Sequence, residues 1–192
     1  MLEQGLVESA RTGDRMAFAG LVKLYQANVY SLCYRMLGEA AEAEDAAQET
    51  FLRAYRQLQS YDSSRPFKTW LLAIGSHHCI DRLRQRRSNQ FSLDGEPDEE
   101  QAALPDPCPN PEEVSLEREQ SARIRALLAG LAPEDRSVIV MRYWHDLSYE
   151  EIAETTGHTV SAVKSRLHRA RATMALRLRQ EPDGATAHTQ DR

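Results

Sequence analysis

Between Ser148 and Arg171 the chain carries side chains whose types and spacing suit recognition of a nucleic-acid duplex. Placed on a helix at about 100° per residue, Ser161, Ser165, His168 and Arg169 share one side. They are short or hydrogen-bonding groups with room to enter a major groove. Lys164 and Arg166 fall on the two flanks, within reach of phosphates on either wall. Groups that point into a groove read base edges, whereas flanking charges hold position without reading sequence. Arg169 is the best placed for a bidentate guanine contact, worth roughly 1–3 kcal/mol of discrimination. The opposite stripe, Val160, Val163, Leu167, Ala170 and Met174, continued by Leu178, is expected to pack on the rest of the domain.

The elements that must hold these groups are legible beside them. Ser148 and Glu151 have the spacing of a capping box that opens one helix, and Thr159 can cap the next. Between them Ala153 lets two helices approach, Gly157 can take a left-handed turn, and Val163 anchors the second helix. That pattern is a helix-turn-helix with a basic second helix. A second candidate surface lies in the segment from Phe67 to Arg87, which ends in a cluster of arginines. Phe67, Trp70, Leu71 and Ile74 form one apolar stripe there, and Leu72, Cys79, Ile80 and Leu83 another, so its neighbours must cover much of this helix. Aromatic rings in a basic surface suit unstacked bases strung along a phosphate backbone. Phe67 and Trp70 fit a core stripe better than a stacking platform. The loop from Tyr61 to Arg65 is the better candidate for gripping a flipped base.

The formal charge of −5 hides an uneven distribution. Residues 65–87 set Arg65, Lys68, Arg82, Arg84, Arg86 and Arg87 against Asp81, a net +5. Residues 160–179 hold Lys164, Arg166, Arg169, Arg171, Arg177 and Arg179 with no acid, a net +6. Residues 94–119 set ten acids against Arg118, a net −9. Two basic surfaces with an acidic connector suit a nucleic-acid binder in spite of the overall sign. Sparse Gly and Pro with a hydrophobic content of 41% favour helices. Periodicity predicts helices over 2–12, from Asp14 to Gly38, over 40–58 and from Pro66 to about Arg87. Others follow over 112–129 and 133–145, and then come the two of the helix-turn-helix. The expected fold is all-α: two small helical domains, 1–90 and 112–180, the second a helix-turn-helix of the winged-helix-like superfamily. An acidic, Pro-rich linker, 91–111, joins them, and 181–192 reads as a disordered tail.

Other classes of function find little support. The N-terminus shows no secretory leader, and no apolar run approaches the ~20 residues needed to span a membrane, so a cytoplasmic protein without membrane insertion is expected. Cys33, Cys79 and Cys108 lack disulfide or C-x-x-C spacing; Cys33 reads as a small core residue. His77, His78, Cys79 and Asp81 suggest a metal or catalytic cluster, but adjacent helical residues diverge by about 100° and do not converge on one ion. No nucleophile–base pair or Gly-rich phosphate loop is present, so neither enzyme activity nor a cofactor or metal is expected.

The stretches AEDAAQETFLRAYRQL (43–58), FKTWLLAIGSHHCIDRLRQRR (67–87) and LSYEEIAETTGHTVSAVKSRLHRAR (147–171) are together similar to the extracytoplasmic-function sigma factors of bacterial RNA polymerase. The resemblance covers nearly the whole chain between about 5 and 178 and implies sigma region 2 followed by region 4. It implies that Asp45, Gln48, Glu49, Phe51 and Arg53 dock on the clamp helices of the polymerase's largest subunit, with a further contact at the flap region. It implies that the loop 61–66 and the following helix melt and read a −10 element through Tyr61, Asp62, Lys68, Trp70 and His77. Arg82, Arg84, Arg86 and Arg87 would then hold phosphates, and the helix bearing Ser161 to Arg169 would read a −35 element. The linker could thread toward the polymerase cleft, and an anti-sigma partner is expected. One departure is His77, where the family commonly carries Asn; an imidazole cannot present an amide's paired donor and acceptor. The alternative is a free-standing helix-turn-helix regulator, although residues 1–90 lack the βα alternation of a receiver domain.

Overall fold

The punctuation expected from the sequence sets the helix ends. The computed structural model describes residues 2–92 and 111–180, and every regular element among them is helical. Helix α1 spans Leu2–Arg11, and a left-handed Gly13 turns the chain. Asp14 then caps α2 (Arg15–Leu37), its Oδ1 accepting the N–H groups of Met16 at 2.8 Å and Ala17 at 3.2 Å. Gly38, at φ 91°, ends α2 and donates its N–H to the Tyr34 carbonyl. Helix α3 (Ala40–Gln57) follows, then a 3-10 turn (Leu58–Ser60) and α4 (Phe67–Ser92). Pro66 precedes α4 instead of joining its first turn; its carbonyl accepts the first helical bond, from Trp70. Helix α4 also continues past Arg87, because nothing from Ser88 to Ser92 breaks a helix.

Helices α2, α3 and α4 wrap one core built from Leu21, Leu32, Met36, Ala54, Leu71 and Leu72. Gly75, in the middle of α4, permits their close approach: a Cβ there would lie 3.1 Å from Leu32 and 3.3 Å from Thr50. Cys33 and Cys79 are both buried in this core. The Cys79 thiol is held protonated by its hydrogen bond to Cys33 and by burial.

The second half comprises α5 (Pro111–Ala129), α6 (Pro133–Trp144), α7 (Tyr149–Thr156) and α8 (Val160–Gln180). Most of the expected linker, and the expected tail from 181, lie outside the described residues. The two halves also pack on each other, α6 against α2 and α4, and α7 against α4, so that buried side chains of both form one continuous cluster. Arg136, only 6% exposed, stands at the centre of that contact. Its Nη1 donates to the Met36 carbonyl at the end of α2, and its Nη2 to the Ala129 carbonyl at the end of α5, 2.8 Å away. One cation thus serves the negative ends of two helices. Burial first, then Arg87 and Arg86, lower its pKa to about 10, so it keeps its charge near neutrality.

His145, 2% exposed at the end of α6, lies in the same contact, and neither ring nitrogen has a hydrogen-bond partner among the described residues. Burial, then Lys68 and Arg35, push its pKa down to about 4, against a small opposing pull from Asp146. The neutral ring is therefore favoured in the folded state. Its contribution is present above the unfolded pKa of ~6.5 and is lost as pH falls from there toward 4. Urea unfolding at pH 7.5 and pH 5 should show the wild-type chain losing about 2 kcal/mol more than His145→Leu over that interval. Equal losses in both proteins would place the imidazole in solvent.

Candidate nucleic-acid interface

The helix-turn-helix forms from the residues that announce it. Ser148 Oγ accepts the Glu151 N–H at 3.1 Å while Glu151 Oε2 accepts the Ser148 N–H at 2.8 Å, completing the capping box. Gly157 takes φ 67° and ends α7; Thr159 Oγ1 accepts the Ala162 N–H at 3.2 Å and starts α8. Ala153, Val163, Leu167 and Ala170 are buried between the helices, with Val160 and Met174 packed against them. The apolar stripe stops there. Leu178, expected to continue it, is 41% exposed, as is its neighbour Leu176 at 58%.

On the outer side of α8, Ser161, Lys164, Ser165, His168 and Arg169 are all exposed. Arg166 is not equivalent to them. It is half-buried and donates to Asp135 Oδ1 at 2.9 Å, which ties α8 to the first turn of α6. Arg169 reaches the same carboxylate oxygen at 3.4 Å, but its side chain stays 61% exposed. Asp135 therefore holds Arg166 in the fold and orients Arg169 at its surface. Lys164 lies over the Tyr149 ring, 5.7 Å from the centroid.

The aromatic residues around the start of α4 make a cluster. Tyr61, Phe67 and Trp70 contact one another at centroid distances of 4.9–5.5 Å, and Tyr25 joins through Phe67 at 5.6 Å. Phe67 and Tyr61 are buried and Trp70 is half-buried. Tyr61 thus differs from a ring offered to a base: it donates its hydroxyl to the Arg65 carbonyl and shapes the loop from inside. Asp62 is exposed and accepts the Ser64 N–H at 3.0 Å, and that bond first, with Arg65 last, keeps its carboxyl ionised. A cavity of about 470 Å³ opens beside this loop, lined by Glu3, Tyr61, Ser63, Arg65 and Phe67 among others.

The basic residues of α4 all have partners. Arg82 and Arg86 approach Glu42 of α3. Lys68 Nζ donates to the His145 carbonyl at 3.1 Å, Arg84 to Glu134 at 2.6 and 3.0 Å, and Arg87 to the Leu131 carbonyl at 3.4 Å. His77 is exposed, whereas His78 is half-buried and its pKa is lowered by burial and then by Arg53 and Arg82.

On α3, Asp45 and Gln48 are exposed, and Glu49 accepts a 2.7 Å hydrogen bond from Arg53 that lowers its pKa. Phe51 is half-buried at an apolar groove of about 570 Å³, shared with Arg15, Phe18, Val22, Leu52 and Tyr55. Leu52 (52%) and Tyr55 (42%) leave large apolar surface in solvent. The motif-based reading missed both; their signal was apolar type at positions off the buried stripe of Ala43, Ala47 and Ala54. It also missed Glu134, Asp135 and Arg136, whose partners lie far away in the sequence.

Residues 21–89 match the sigma-70 region 2 family and residues 121–174 the sigma-70 region 4 family. The ECF RNA polymerase sigma factor SigW of Bacillus subtilis (strain 168) is 37% identical over 185 residues, covering 93% of this chain and 98% of the relative. The RNA polymerase sigma-H factor of Pseudomonas aeruginosa is 35% identical over 174 residues, covering 88% of this chain and 90% of that protein. Among solved structures, CnrH in complex with the cytosolic domain of CnrY is alike with a TM-score of 0.69 at 27% identity, covering 94% of this chain and 99% of that one.

Arg166 and Arg169 should separate in a stability measurement. Arg166→Ala removes a partly buried ion pair and should cost about 1 kcal/mol in urea unfolding. Arg169→Ala should stay within about 0.5 kcal/mol of wild type, as exposed substitutions do. Equal costs would show that both arginines serve the fold.

Proposed function

The chain belongs to the extracytoplasmic-function (ECF) sigma factors of RNA polymerase, and we propose how its surfaces divide the work of starting transcription. It binds core polymerase and directs it to promoters by reading a −35 element and by recognising and melting a −10 element. It acts as a dissociable, non-enzymatic subunit in the cytoplasm. Among the described residues no helix is long and apolar enough to cross a membrane.

Region 2 occupies 1–90 and region 4 occupies 112–180. In the second, α8 enters the major groove, with Ser161, Ser165, His168 and Arg169 toward the bases and Lys164 toward a phosphate. The exposed hydrogen-bonding face behind the Gly157 turn is the observation that carries this assignment. Arg166 acts through Asp135 by fixing the helix. In region 2 the loop 61–66 and the exposed His77 take −10 bases, Asp62 and Trp70 border that loop, and Tyr61 holds its shape from within. Lys68, Arg82, Arg84, Arg86 and Arg87 supply charge for the phosphates.

Core polymerase binds on the other side of region 2. Asp45, Gln48, Glu49, Phe51 and Arg53 meet the clamp helices, and the groove bearing Leu52 and Tyr55 adds the apolar part of that contact. A small apolar centre ringed by charge is where binding energy concentrates in protein interfaces. A flap-region contact through region 4 and an anti-sigma partner complete the set. The structural neighbour CnrH was solved in complex with the cytosolic domain of another protein, CnrY, which supports a further protein partner for this chain.

The test adds purified chain to core polymerase on a promoter from which the core alone does not start. Promoter-dependent RNA and co-elution with core are expected; absence of both would leave only a free-standing DNA binder. Arg169→Ala should erase a preference of roughly 1–3 kcal/mol for one base pair of the −35 element. Equal weakening on every sequence would make Arg169 a phosphate contact. Leu52→Asp should weaken binding to core polymerase about tenfold or more by titration, with DNA binding by the free chain unchanged. Unchanged affinity for core would remove the groove from the interface.

A further inference from the structure

The carboxylate that meets Arg169 belongs to a different helix. Asp135 lies in the first turn of α6, where the positive end of the helix favours its charge. Its side chain is 14% exposed against 61% for Arg169, so one partner is enclosed and the other stands in solvent. The backbone beneath Asp135 is anchored as well, because Arg136, Ser137 and Val138 follow it into the core. Glu134, the acid beside it, is turned to Arg84 of α4.

One oxygen serves two arginines unequally. Asp135 Oδ1 accepts from Arg166 Nη1 at 2.9 Å and from Arg169 Nη2 at 3.4 Å. The first is a charge-assisted bond of ordinary length and braces the carboxylate. The second is longer than the usual N–H···O bond, so it costs little to stretch. It narrows the directions open to a long, flexible side chain while leaving the guanidinium's other donors for a base. A recognition group supported in this way is in place before the duplex arrives, so the cost of ordering it is met by the fold instead of by binding.

The same carboxylate sets a negative charge beside a surface that has to meet phosphates. It subtracts from attachment to any duplex, matched or not, and only a matched base pair recovers that loss through Arg169. We propose that Asp135 is a positioning residue that sets sequence specificity at the −35 element, aiming Arg169 at one base pair and weakening attachment to duplexes that lack it. The inference rests on the reading of α8 proposed above. It adds a residue that need touch no base and still decides which DNA is held.

Selection by the full chain from a duplex library randomised at its centre, sequenced before and after binding, tests this. The base pair to follow is the one whose preference Arg169→Ala erases. Asp135→Ala should lower the preference there about threefold or more. Affinity for a mixed-sequence duplex should stay level or rise, up to about twofold, because a negative charge is gone. An intact preference at that base pair would overturn the proposal. The other positions of the selected sequence should keep their preferences within about twofold, since the effect runs through one side chain. A loss spread evenly over every position would mean that Asp135 only holds α8 in place.

Arg166→Ala cuts the same tie between α6 and α8 but leaves Asp135 to Arg169, and it should keep the preference within about twofold of wild type. An equal loss in both variants would reduce Asp135 to a support of the fold. Where circular dichroism shows Asp135→Ala unfolded, Asp135→Asn keeps the side-chain volume without the charge and should shift the preference in the same direction; an unshifted preference there would sink the proposal too. A wild-type chain that selects no sequence from the library would instead count against the −35 reading of α8, and the role of Asp135 would fall with it.

Discussion

The Arg136 guanidinium is where the two halves of the molecule become one body. A buried cation is costly unless its donors are satisfied, and the partners it finds are carbonyls at the ends of two helices, one from each half. Around it the sequence supplies what such a contact needs. Ser76 and Ser137 satisfy each other, Trp144 lies under Arg35, and Glu134 and Glu154 meet Arg84 and Arg65 at the rim. Parting the halves removes the Met36 carbonyl from Arg136 and returns the guanidinium to water. The contact combines these polar pairs with apolar side chains of both halves that belong to one continuous cluster.

Charge explains how one chain can be acidic overall and still bind DNA. Lys68, Arg84 and Arg87 of α4 are paired with groups of the second half, whereas Arg82 and Arg86 approach Glu42 of α3 in their own half. A phosphate backbone competes for the same groups. Salt weakens phosphate contacts steeply through counterion release and the exposed rim pairs only modestly. On α8 the logic is local. Asp135, within its own half, fixes Arg166 and steadies Arg169 without covering the helix's outer face.

Much of this was legible in the sequence wherever the physics is local. Asp14, Gly38, Ser148 with Glu151, Gly157 and Thr159 each act on backbone groups a few residues away, and each stands at the helix end expected of it. The periodic stripes of α4 and α8 are buried as far as neighbours reach, and the expectation failed at Leu178, where the helix outruns its cover. Tyr61 misled for a related reason: its place in a polar loop suggested exposure, but its ring closes an aromatic cluster with Phe67 and Trp70. The contact between the halves was not legible. Arg136 and Met36 are separated by 100 positions, and no spacing rule links a helix-end carbonyl to a distant arginine. Mutual burial removed the serine pair from view in the same way.

The most direct measurement is the distance between the two halves, read in the free chain by paired nitroxide labels on exposed Gln26 of α2 and exposed Ala175 of α8. The account predicts one narrow distribution, because α6 and α7 are fixed against α2 and α4. A broad distribution would contradict it.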